Sequence, residues 1–289
     1  MEDYVGKNQC ILDEWRAKFI KDNGSENEWK FAPDGIMNKG KFSAPDENGV
    51  IWRERSDKDG TIENNLWGNA PLRVLFLTKD ENLYDDSIEA WDVRSETFHA
   101  KNSELSENKA SGSFFYRNEA NILYGILNTS PINMVGFEEF SINDAVKFSD
   151  NQIFARVNCK KEGGEETIEN SKLYDIINND YYLLKDQILN LDADIFICCG
   201  NQNDENPTLD LLYEIYKDEF VYCNYGTNKG TAVHYNEKRN KLAIDIYHLA
   251  YSRNGGEIAR YYEAVGAYYS FVKYISYTKG VDFTKSHRK

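Results

Sequence analysis

The sequence predicts an α/β protein: three layers, α/β/α, around a four-stranded, mostly parallel sheet, with an N-terminal extension. Three observations carry this expectation. Four short, continuous apolar runs recur at 74–77, 153–157, 195–199 and 242–247. Segments with helical length and period separate them. The composition, with 41% hydrophobic residues, 20 Tyr and 15 Phe among 289 residues, is that of a globular chain able to bury a core.

Residues 1–71 mix one short helical pattern (Ile11, Leu12, Trp15, Phe19, Ile20) with the turn-rich stretches APDG, DENG and DKDG. Trp15, Trp29, Trp52 and Trp67 lie here, but the periodic elements are too few for a separate core, so this extension is expected to pack on residues 72–289. The four runs are short and predominantly apolar, as in parallel strands covered on both faces. Before the third, Leu173, Ile176, Ile177, Tyr181, Leu184, Ile188 and Leu191 share one face at a 3.6-residue period. Further helices are expected at 209–220 and 257–275, the latter carrying Ile258, Tyr261, Val265, Tyr268, Tyr269 and Val272. A Gly/Asn-rich turn between VYCNY and TAVHY predicts a hairpin insertion ahead of the last run. Strands alternating with helices imply a doubly wound sheet, whose ligands sit beyond the carboxyl ends of the strands.

Composition narrows the partners. No apolar run approaches the ~20 residues that cross a bilayer, and MEDYVGKNQC has neither a signal nor a transit pattern. A cytoplasmic monomer without membrane contact is expected. Cys10, Cys159, Cys198, Cys199 and Cys223 form no CxxC pair and are odd in number, so neither a disulfide framework nor a metal or other cofactor is expected. Cys198 and Cys199 read as small buried hydrophobes. With 34 Lys and Arg against 48 Asp and Glu, the net charge is −14, and the body repels polyanions. Any nucleic-acid contact needs a local basic patch.

The segments following the four strands hold the chemistry. They are Thr78-Lys79-Asp80-Glu81-Asn82, Asn158-Cys159-Lys160-Lys161-Glu162-Gly163-Gly164, Gly200-Asn201-Gln202, and His248-Leu249-Ala250-Tyr251-Ser252-Arg253. A charged cluster after a strand is more often a solvated loop, and a lone strand-end His is a cap or core residue as often as a catalytic one. Carboxylate, amide and imidazole at successive strand ends together single out a site.

In that order these ends resemble the uracil-DNA glycosylase superfamily. RVLFLTKDEN is similar to its first strand and motif, FARVNCKK to the strand whose terminal Asn reads the base, DIFICCGNQ to the third strand and its Gly, and AIDIYHLAYSR to the last strand with its His-Pro-Ser loop. The likeness spans about residues 72–275. Asp34-Gly35-Ile36 with Lys79-Asp80-Glu81-Asn82 resembles a bacterial subset. Thr78 stands where the superfamily has Gly, no Pro follows Asp80, and Leu249 replaces Pro. The resemblance therefore implies a DNA glycosylase for a modified or damaged base, for instance a hypermodified base of phage DNA, acting in base-excision repair or in antiviral defence.

It also implies roles. Asp80 would stabilise the sugar cation and orient water, with Asn82 as rival for that water. His248 would donate a hydrogen bond to the departing base, and Asn158 would read its edge. Phe114 or Phe115 would stack on a flipped-out base, although both also suit a core. Lys160, Lys161, Ser252 and Arg253 would contact DNA. Lys229, Lys238, Arg239 and Lys241 on the hairpin offer a local basic patch, and Trp91-Asp92-Val93-Arg94 frames the pocket or packs a loop. Two other classes fit the same residues: a non-catalytic nucleic-acid or protein binder, and a hydrolase of free nucleosides or nucleotides, for which an acidic surface is no handicap.

Overall fold

The computed structural model describes residues 2–44, 51–79, 91–97, 114–164, 168–202, 205–223, 232–251 and 256–285. The four apolar runs form its parallel centre: β2 (Val74–Thr78), β3 (Ala155–Asn158), β4 (Ile195–Asn201) and β7 (Lys241–Tyr247). The sheet is larger than the four strands expected. Seven strands run in the order β1-β3-β2-β4-β7-β6-β5, where β1 is Gly35–Ile36, β5 Val221–Cys223 and β6 Ala232–Asn236. The three additional strands pair antiparallel at the two edges. A two-residue strand carries no periodicity to read, and the hairpin taken for an insertion extends the sheet itself.

Alternation along the strands builds the layers. Leu75, Leu77, Ala155, Val157, Phe196, Cys198 and Ala243 face one way, into a core shared with α1 (Tyr4–Asn23), α2 (Thr61–Asn69), α5 (Asn170–Leu191) and α6 (Pro207–Ile215). Val74, Phe76, Phe154, Ile195, Ile197, Cys199, Leu242, Ile244 and Ile246 face the other way, toward α3 (Phe114–Asn128), α4 (Ile142–Asn151), α7 (Gly256–Tyr261) and α8 (Ala267–Lys279). The extension is woven into this body. Tyr4, Leu12, Trp15, Phe19 and Trp67 lie in the same core as Leu75 and Val157, while Ile36 pairs with Ala155 in the sheet.

Helix limits depart from the periodicity for local reasons. The helix expected to reach 220 stops at Ile215, because Lys217 and Asp218 adopt φ of 53° and 57°, outside helical geometry. The pattern at 257–275 is broken between α7 and α8 by a π-helical turn, Tyr262–Gly266. Among the described residues no helix is long and apolar enough to cross a membrane.

From β2 the chain crosses to β3 on one side, then to β4 on the other. The strand order reverses between β2 and β4, and ligands of open parallel sheets settle at the carboxyl ends beside such a switch.

Candidate active site at the carboxyl ends of the strands

The alternation that turns Phe76, Phe154 and Ile246 toward α3 continues to Thr78, Asn158 and His248. One face of the carboxyl rim therefore receives a hydroxyl, a carboxamide and an imidazole. Thr78 donates through Oγ1 to Asn158 Oδ1, joining the ends of β2 and β3. β3 and β7 are separated by β2 and β4, so Asn158 and His248 stand three strand spacings apart along the rim, about 14 Å.

His248 has a defined proton arrangement. The chain turns after β7, with Tyr251 N–H donating to His248 O at 2.8 Å, and Ala250 N–H donates to Nδ1 at 3.3 Å. An Nδ1 that accepts leaves the proton of the neutral ring on Nε2. Burial, reinforced by the positive charge of Lys79, pulls the imidazole pKa down to about 4. At neutral pH His248 is thus an uncharged Nε2–H donor.

Phe115, in the first turn of α3, lies beside it, with ring centroids 5.8 Å apart and planes 47° apart. Asn118, one turn on, donates to Leu249 O at 2.6 Å and ties α3 to the turn carrying His248. Beneath Phe115 is Arg156 of β3, its guanidinium 5.0 Å from the Phe115 ring and 5.5 Å from Tyr116. Arg156 is fully buried and bidentate to Glu119, at 2.9 and 2.6 Å, and it also pairs with Glu96. Burial disfavours its charge, but Glu119 and Glu96 outweigh burial and raise its pKa. Trp91 donates to Glu96, and Arg94 forks onto Asp92, so the 91–94 segment packs the loop that supplies Glu96.

The candidates separate on these facts. Phe115 faces His248, whereas Phe114 is 41% exposed with Arg117 over its ring. Lys160 is half-buried at the end of β3, its N–H bonded to Lys79 O at 2.8 Å. Lys161 is not placed for DNA. It is buried, and its Nζ binds Asp34 Oδ2 and Asn158 O, each at 2.7 Å. The hairpin patch is likewise corrected: Lys238 and Arg239 pair with Glu219 and Lys241 with Asp192, at the amino end of β7 away from the rim. Asp80, Asn82, Ser252, Arg253 and Lys229 lie outside the described residues.

The third strand end is structural. Asn201 donates to both carboxylate oxygens of Asp245, at 3.1 and 3.0 Å, and Asn206 donates to Oδ1 at 2.6 Å. A Cβ at Gly200 would collide with the Asn206 carboxamide, which accounts for the glycine. Sequence reasoning missed Lys79, Arg156 and Glu119 as site groups. Lys79 is buried beside the switch point, donating to Asn170 Oδ1 at 3.0 Å and Gln202 Oε1 at 3.2 Å. Its signal was position alone, immediately after β2.

No family model, no curated protein and no solved structure matches this chain.

Proposed function

We propose that the chain hydrolyses the N-glycosidic bond of a modified or damaged base in DNA and leaves an abasic site. The observation that supports this most is His248: a neutral imidazole, its proton fixed on Nε2 by the Ala250 N–H, beside the Phe115 ring and across the rim from Asn158. When the bond to the sugar breaks, negative charge grows on the base. A preorganised Nε2–H donor at low local dielectric stabilises that charge without a prior proton loss. Phe115 supplies a stacking surface for an extruded base, and Asn158 the hydrogen bonds that read its edge. Asp80 and Asn82 follow β2 directly in sequence, which suits them to the sugar and the attacking water.

The test is incubation with single- and double-stranded DNAs carrying a panel of modified bases, hypermodified phage bases first, followed by alkaline cleavage at abasic sites. Cleavage at one modified position is expected; an intact panel would overturn the proposal. A second reading, hydrolysis of free nucleosides or nucleotides, draws on the −14 charge and on Lys161 being turned inward. Binding that weakens steeply with salt favours DNA, and salt-insensitive turnover of nucleosides favours the alternative.

A further inference from the structure

β1 begins at Gly35, opposite Arg156. Two residues on, the N–H of Asn158 lies past the last β1 pair, while its neighbour Cys159 donates to β2, at Thr78 O, 2.9 Å away. The carboxylate of Asp34 takes that place. Its Oδ2 accepts the Asn158 N–H at 2.7 Å, and the same oxygen pairs with Lys161 Nζ at 2.7 Å. Lys161 in turn donates to Asn158 O at 2.7 Å. One buried ion pair thus holds both main-chain polar groups of Asn158.

The ion pair is itself braced. Gln187 of α5 donates to Asp34 Oδ1 at 2.8 Å and to Asn8 Oδ1 at 3.0 Å, and Asn8 of α1 donates to Asp34 O at 2.8 Å. Gly35 permits this approach for two reasons. Its φ of 131° is unfavourable for residues with a side chain, and a Cβ there would lie 2.5 Å from Asn8 Nδ2. Asp34 and Lys161 are both buried, so their charges serve this geometry rather than solvent or phosphate.

We infer that Asp34, in the N-terminal segment, is a positioning residue for the rim: with Lys161 it fixes the Asn158 peptide and so aims the carboxamide that meets the base. The base-meeting role rests on the proposed function; the clamp does not. In Asp34→Asn, hydrogen exchange at the Asn158 amide should quicken by about tenfold or more. On the cleaved DNA, kcat should fall about 10- to 100-fold while KM changes less than about twofold, because aim and not DNA contact is lost. The same substitution made in an Asn158→Ala background should cost little more, since both changes act through one carboxamide.

Unaltered exchange at Asn158 in folded Asp34→Asn, or a loss that adds in full to that of Asn158→Ala, would overturn the inference. If Asp34→Asn does not fold, Gln187→Met removes a single brace and should move the same readouts in the same direction by smaller amounts; unmoved readouts there also count against the clamp. A parent chain that releases no base sinks the glycosylase reading, while amide exchange still decides the clamp.

Discussion

Two histidines, one ending β7 and one inside β6, are both held neutral, with pKa values pulled down to about 4 by burial and, at His248, by Lys79 as well. Their surroundings differ. His234 lies against Tyr213, whose hydroxyl meets Nδ1 at 2.6 Å, and its buried Nε2 finds no hydrogen-bond partner among the described residues. His248 lies at the rim, half-buried, with Nδ1 satisfied by backbone and Phe115 beside it. A depressed pKa therefore does not mark a site in this molecule. What sets His248 apart as the candidate is its strand end, fixed tautomer and adjoining aromatic face.

The comparison sharpens first through what lies under the rim. Arg156→Met would leave Glu119 and Glu96 as buried carboxylates without their cation, so a loss of about 3–5 kcal/mol is expected in urea unfolding. A loss below about 1 kcal/mol would mean the Phe115 platform does not depend on this ion triad.

A smaller effect separates the two neighbouring phenylalanines. Phe115→Ala should slow base release about 10- to 100-fold, the worth of one base–aromatic stack. Phe114→Ala, at an exposed ring outside the His248 contact, should stay near the parental rate. Equal losses in single-turnover kinetics would erase the distinction.

The smallest effect is in pH dependence. Both imidazoles have folded pKa values below the ordinary 6.5. Between about pH 4 and about 6.5 the unfolded chain binds protons that the folded chain refuses, so these groups make stability rise with pH across that window and add nothing above it. Melting temperature against pH should show the slope, and His234→Phe should flatten it. Base release should lack a limb at 6.5 and decline only toward pH 4.

Much of this was legible in the sequence. Strands β2, β3, β4 and β7 are predominantly apolar, since each is covered on both faces, and that signal survives in one dimension. β1 was not legible: its two residues pair with β3 through Gly35 and Ile36, with no pattern to find. Asn158 and His248 were legible as candidates because each falls at the end of an apolar run. Lys161 was misjudged because a Lys three residues after a strand reads as a surface charge, and only the fold reveals Asp34 waiting beneath it. Arg156 hid for the converse reason, as a charged residue inside an apolar run whose partners, Glu96 and Glu119, lie 60 and 37 residues away in sequence.

The central claim, that His248 at the strand ends acts on the departing base, is tested most directly by single-turnover base release from the DNA that the panel identifies. His248→Ala is expected to lose about 10²- to 10³-fold, the cost of removing one preorganised donor from the transition state, with DNA binding little changed. His234→Phe, at the other imidazole held neutral by burial, should lower the melting temperature and keep the parental rate. A folded His248→Ala that releases base as fast as the parent would contradict the account.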